Sequence, residues 1–144
     1  MGAGHGFLKA MGLDGHHIVE KQHLKELLAL KRHNRRFRDL TQAEKNAVNA
    51  TVDAVKDTMP GYPLRKNWHV LGQGPKRPDG TRGPTIHDLI KKHLKSPDRE
   101  DTYEDWKQAF DDAYDEFNAI YGLEADFDFK MLWQDANQWL DSIP

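Results

Sequence analysis

The stretch from Asp14 to His23, "DGHHIVEKQH", gathers three imidazoles and two carboxylates. His16 and His17 are adjacent, and on an extended strand successive side chains point to opposite faces. One of the pair can therefore face a metal while the other faces a substrate. Hydrolysis of a phosphodiester needs that division. A general base takes a proton from water, and a divalent cation stabilises charge on the leaving oxygen. Histidine suits both tasks, because its unperturbed pKa is about 6.5 and its neutral nitrogen is a common metal ligand.

Two more pieces lie downstream. Asn67, in "KNWHV", stands at the start of a second strand candidate, where its amide can bond backbone groups and hold a histidine-bearing loop in shape. His87, in "GPTIHDLIKKH", falls in the first turn of an expected helix, from which a neutral imidazole can reach a metal held against the strands. Taken singly, each piece has an ordinary reading: two partly exposed histidines, a turn-forming asparagine, a boundary histidine. Their order carries the argument, with His-His on a strand, Asn on a second strand and His on a helix.

The elements that must position these residues follow from pattern. "HHIV", 16–19, is short and β-branched, as a strand is. Residues 20–34 read as a helix with Leu24, Leu27, Leu28 and Lys31 on one side. Thr41 and Glu44 make a capping box for a second helix to about Asp57, where Ala43, Ala47, Ala50 and Ala54 keep helical spacing beside Val48, Val52 and Val55. "MPGYP" stops it. "KNWHVL", 66–71, is the second strand candidate. Four glycines and three prolines in residues 72–84 then mark a loop. Thr85 caps a helix near 85–95, with Lys91, Lys92 and Lys95 placed where the helix dipole favours cations. Thr102 caps a long helix to Tyr121, on which Trp106, Phe110, Ala113, Phe117 and Ile120 recur every three or four residues, and Gly122 is its expected stop. Asp128 is the expected cap of a last helix bearing Leu132, Trp133, Ala136, Trp139 and Leu140. The aromatic face of these two helices (Trp106, Phe110, Phe117, Trp133, Trp139) reads as core rather than as a ligand site.

The totals set limits. The chain has 144 residues, one domain's worth, with 38% hydrophobic and 31% charged residues, so the core is thin and the surface wet. The absence of cysteine excludes disulfides, cysteine zinc ligands and thiol nucleophiles. No apolar run approaches the roughly 18–20 residues that would span a bilayer, so no membrane partner is expected. Residues 1–12 read as a flexible lead-in or a cut from a longer protein, without the apolar core of a signal peptide. The formal charge of −2 hides an asymmetry: residues 1–98 carry a net +8 and residues 99–144 a net −10. A basic body, 13–98, with an acidic helical part, 99–144, fits a nucleic-acid partner, and it equally fits two halves that neutralise each other within one fold.

"HHIVEKQ" resembles the "HHIVEQ" segment of HNH nuclease domains of the His-Me finger (ββα-metal, endonuclease VII-like) superfamily, and the glycine before the pair resembles the signature of GHH toxin groups among bacterial polymorphic toxins. "NWHVL" and "PTIHDLI" are similar to the strand and helix motifs of that family, with Pro84, His87 and Ile90 in register. The resemblance spans roughly residues 13–95. It implies an α+β, helix-rich fold in which a ββα-metal finger, with strands near 16–19 and 67–71 and a helix near 85–95, is surrounded and followed by α-helices. It implies that His16 and His87 are metal ligands, that His17 is the general base and that Asn67 orients the base loop; Glu20 and Gln22 match motif positions suited to local support or to contact with metal-bound water. Two features depart from the family: about fifty residues separate the His pair from Asn67, and Lys91 stands where a further histidine would be, four after His87, with His93 on another side of the helix. Two imidazoles leave the rest of a metal's shell to water and phosphate oxygens. That suits Mg²⁺ or Mn²⁺ better than a closed site, with Zn²⁺ and Ni²⁺ as the other candidates.

The expected function is thus a metal-dependent endonuclease acting on DNA, a hydrolase that forms the toxin domain of a secreted antibacterial effector. Lys31, Arg32, Arg35, Arg36, Lys76, Arg77 and Arg82 are the candidates for holding phosphates without reading sequence. Such a domain is delivered by a larger carrier or secretion system, acts in the target-cell cytoplasm and is blocked by a cognate immunity protein. Two rivals stand beside it. One is a metal-independent ribonuclease toxin using the same histidines as acid and base. The other is a non-enzymatic helical binding module.

Overall fold

Leucines at helical spacing build the first large element. The structure, a computed structural model, describes residues 13–17, 19–59, 61–65, 83–125 and 129–144, without the side chains of 13–17 and 61–65 and of the last residues of the long helix, 121–125. Helix α1 (Lys21–His33) buries Leu24, Leu27, Leu28, Ala29 and Leu30. It ends at Asn34, whose left-handed backbone (φ 53°) a short amide side chain tolerates and whose N–H bonds the Leu30 carbonyl. A 3-10 turn (Phe37–Asp39) leads to α2 (Gln42–Val55), and a second 3-10 turn (Lys56–Thr58) follows it. The Thr41–Glu44 capping box is formed as expected. On α2 the valines face the core, with Val48 and Val52 fully buried, and the alanine stripe faces solvent.

Helix α3 (Ile86–Leu94) starts at Thr85, where the hydroxyl accepts from the Asp88 N–H and the Asp88 carboxylate accepts from the Thr85 N–H. Its buried face is Ile86, Leu89 and Ile90. Helix α4 (Tyr103–Ala125) is the axis of the fold: α1, α3 and α5 (Phe129–Ser142) pack on it, and α2 packs on α1. The Thr102 hydroxyl accepts the Asp105 N–H at its start. The helix runs past Gly122, so that glycine is no stop. A helical glycine costs only about 1 kcal/mol relative to alanine, which packing readily offsets. Ile120, expected on the buried stripe, is 41% exposed, and Tyr114 is buried instead. The first N–H of α5, that of Phe129, is taken by the Asn118 side chain of α4 at 3.0 Å. Asp128 lies outside the described residues.

The expected α+β ββα-metal finger is corrected by this arrangement. The packed body is helical. The two short strands, β1 (Leu13–His17) and β2 (Gly61–Arg65), pair antiparallel with each other, His16 opposite Tyr62 and His17 opposite Gly61, and neither makes an extensive contact with a helix. Among the described residues no helix therefore lies across a strand pair as the finger requires. β1 is shifted from 16–19 to 13–17, because Val19 is withdrawn, fully buried, into the helical core. The strand that pairs with it is 61–65; residues 67–71 lie outside the described residues. A lone two-stranded ribbon is marginal in water, and the apolar faces of the five described helices supply the core.

The two charged halves neutralise each other in part, through Arg36–Asp101 at 3.6 Å and Lys92–Glu116 at 3.0 Å. A closer tie is made by Lys31. Its stem lies on the buried side of α1, and its ammonium donates to the carbonyls of Leu140 (2.9 Å), Asp141 (3.2 Å) and Ile143, capping the end of α5. Arg32 adds a bond to the Pro144 carbonyl at 3.0 Å. Lys31→Met keeps the apolar stem and removes the donors. It is expected to cost about 1.5–3 kcal/mol, the worth of hydrogen bonds to a charged group. Thermal unfolding followed by circular dichroism should register a midpoint lower by roughly 3–12 °C.

Candidate functional site

The polypeptide enters α1 at Glu20 in an extended conformation (φ −65°, ψ 153°), and this carboxylate does not cap the helix it precedes. It turns outward instead. Its Oε2 accepts from the Gln22 side-chain amide at 3.1 Å, and its Oε1 lies 3.0 Å from Nε2 of His87, in the first turn of α3. The two residues are 67 positions apart in the chain. The capping box at Thr85, itself fully buried, fixes where α3 begins and so where His87 projects.

The Glu20–His87 pair stands on the wall of a cleft of about 810 Å³. Lys91, one turn beyond His87 on α3, and Lys95, the residue that follows the end of α3, line the same cleft. Both are exposed, and neither has an ion-pair partner among the described residues. Arg36 also lines the cleft but is engaged: its Nε donates to Glu26 at 2.8 Å, its guanidinium is 3.6 Å from Asp101, and it lies 4.8 Å over the ring of Trp106. The bond to Glu26 first, with the charges of Glu26, Asp101 and Asp39, raises the pKa of Arg36 against the cost of burial. His23, three residues after Glu20, also faces the cleft, against Trp106 and Phe110.

The expected site residues fare unequally. Glu20, Gln22, Arg36 and His87 are brought to the one cleft. Lys31 and Arg32 hold the end of α5, and Arg32 also donates to Thr51 at 2.8 Å. Arg35 makes a forked pair with Glu44 at 2.9 and 3.1 Å. His16 and His17 lie in β1, with side chains outside the described part. Asn67, Lys76, Arg77 and Arg82 lie outside the described residues altogether. His93, on another side of α3, meets Glu116 of α4 at 3.0 Å beside Lys92. Burial raises the Glu116 carboxyl, but hydrogen bonds from Lys92 and His93 outweigh it, leaving the pKa below the usual range.

The residues that sequence reasoning passed over are Lys91 and Lys95 as cleft cations and His23 as a cleft wall. Their signal was present in the i, i+4, i+8 spacing of His87, Lys91 and Lys95, which places all three on one helix face.

An oxygen and a nitrogen 3.0 Å apart have the separation of adjacent ligands on an octahedral cation bound at about 2.1 Å. Glu20 and His87 thus have the donor chemistry and the spacing for Mg²⁺ or Mn²⁺. Among the described residues, three carboxylates gather only at Asp111, Asp112 and Asp115 of α4. The protein's own cations already serve them: Lys130 bridges Asp111 (2.7 Å) and Asp115 (3.0 Å), and Arg99 meets Asp112 at 3.2 Å.

The chain matches no protein-family model, no curated protein and no solved structure at a significant level.

Proposed function

We propose that this chain is a metal-dependent endonuclease that hydrolyses phosphodiester bonds in DNA, and that it serves as the toxin domain of a larger secreted bacterial protein. One observation carries the reading. Glu20 and His87, drawn from two separate motifs of the HNH-like resemblance, meet at 3.0 Å on the wall of an open cleft that Lys91 and Lys95 also line, without an ion-pair partner among the described residues. The resemblance of "HHIVEKQ" and "PTIHDLI" to nuclease motifs supports it, independently of the finger fold, which the described residues do not form.

The residues divide the work as follows. Lys91 and Lys95 draw the phosphate backbone into the cleft and neutralise it without reading bases. Until an ion displaces the proton between them, Glu20 holds the imidazole of His87 in one orientation, and Gln22 steadies Glu20 in turn. His17 is three residues from Glu20, so an extended chain keeps their Cα atoms within roughly 11 Å, and it serves as the base that takes a proton from the attacking water. A divalent ion held by His87 and Glu20, with His16 as the further candidate, would stabilise charge on the leaving oxygen. On this reading DNA and a cognate immunity protein are the partners, and the target-cell cytoplasm is the place of action.

The test is direct. Plasmid DNA and total RNA are incubated with the protein, with and without EDTA, beside the variant His17→Ala. Nicking of the plasmid that stops with EDTA and is lost in the variant is the expected result. Cleavage of RNA that survives EDTA would replace the proposal with a metal-independent ribonuclease. No cleavage of either, with Mg²⁺ or Mn²⁺ supplied, would leave a binding module.

A further inference from the structure

One imidazole of the cleft has no part in the scheme above. His23 sits in the first turn of α1 with its ring held edge-on against Phe110 (centroids 5.3 Å apart, 78°) and Trp106 (6.5 Å, 70°) of α4. Its Nδ1 is buried and has no hydrogen-bond partner among the described residues. A neutral imidazole carries its proton on one nitrogen only, and the other is an acceptor. A proton on Nδ1 would be a buried donor with nothing to accept it, and genuinely orphaned donors are rarer than under-used acceptors. The proton therefore sits on Nε2, the nitrogen left to the cleft. The imidazolium, which needs both protons, is disfavoured for the same reason. Burial lowers the pKa of His23, with Glu20 pulling upward, His87 downward and Glu26 upward again.

The cleft thus contains an N–H donor that is neutral and directional. Two aromatic rings fix its angle, unlike the flexible Lys91 and Lys95 ammonium groups beside it. A fixed dipole of that kind, aimed where negative charge gathers, needs no reorganisation when the ligand arrives. We propose that His23 is a substrate-binding residue whose Nε2–H donates a hydrogen bond to a non-bridging oxygen of a phosphodiester seated between the Glu20–His87 pair and the two lysines. The identity of the ligand rests on the nuclease reading, whereas the tautomer and the donor do not.

The experiment uses full-length protein labelled with ¹⁵N and kept in EDTA so that no cleavage occurs. Long-range proton–nitrogen spectra report the histidine tautomers, and the variant His23→Gln identifies the His23 signals. The expected result is the Nε2–H pattern in the free protein and a displaced Nε2 signal on addition of a short oligothymidylate, with inorganic phosphate as the comparison arm. A phosphodiester site responds to the oligonucleotide, whereas a response to inorganic phosphate alone would overturn the assignment of ligand. An Nδ1–H tautomer, a silent Nε2 at saturating oligonucleotide, or no oligonucleotide binding would overturn the inference.

Binding by fluorescence anisotropy supplies the second arm. His23→Phe fills the space against Phe110 and Trp106 without a donor, and should weaken binding roughly 10- to 100-fold, the worth of one hydrogen bond to an ion. His23→Gln, whose amide can stand near the Nε2 position, should restore most of it. Equal binding by wild type and the phenylalanine variant, or equal loss in both variants, would count against the proposal. The two readings fail separately. Oligonucleotide binding with a responsive His23 but no cleavage under any metal removes the nuclease and keeps this site, whereas metal-dependent cleavage with a silent His23 does the reverse.

Discussion

His87→Ala is expected to lower the rate of strand cleavage by roughly 100- to 10,000-fold, the range seen when a positioned acid, base or ligand is removed. The fold should survive the change. The His87 side chain is 18% exposed, and its partner Glu20 lies at the cleft where water can replace the imidazole. α3 keeps the Thr85–Asp88 box that starts it and the buried Ile86, Leu89 and Ile90 that hold it down. Glu20→Gln is the finer variant. It preserves size and a hydrogen bond to the ring but removes the negative charge that orients and polarises it, and about a 10- to 100-fold loss is expected. The measurement is the initial rate of plasmid nicking, with circular dichroism spectra recorded alongside. Undiminished nicking by both variants, with native spectra, would falsify the role given to the pair.

Trp133→Ala carries the largest expected effect on stability. Trp133 is 1% exposed and stacks between Phe110 (5.5 Å, 14°) and Tyr114 (6.0 Å, 7°), which fastens α5 to α4. Truncating a buried tryptophan costs about 3–5 kcal/mol from lost transfer energy and the cavity left behind. Domains of this kind have about 5–15 kcal/mol in total, so a large share of the fold's stability would go. The melting midpoint should drop by roughly 6–20 °C. Trp139→Ala is the internal control: Trp139 is only partly buried, and its indole N–H donates to Thr58 at 3.0 Å. A loss at Trp133 no greater than at Trp139 would contradict this account of the core.

How much of this was legible depended on whether the signal was local. The capping boxes at Thr41 and Thr85 were legible because a cap needs one residue type at each of two fixed positions. The Trp106, Phe110, Ala113, Phe117 stripe was legible because burial of one helix face imposes a period. Gly122 misled because a single breaker has a small energy next to the packing of a long helix. The strand at 61–65 was missed because "GYPLR" contains a glycine and a proline, which mark turns, and pairing was sought in the apolar run after it. The charges of 31–38 show a different limit. Sequence shows that Lys31, Arg32, Arg35 and Arg36 are basic, but only coordinates show that carbonyls and carboxylates of the same chain already occupy them. At the cleft, the motifs named Glu20 and His87, and nothing local said that they would touch.

The grip of Lys31 and Arg32 on residues 140–144 has a consequence in time. These bonds join positions 109 to 112 apart. A ribosome adding about 5–20 residues per second needs on the order of ten seconds to cover that distance. Through that interval the helix that presents Glu20 and His23 is without the clamp at its far end. In a nascent chain α1 therefore gains this clamp only after residues 140–144 have been made, well behind its own synthesis.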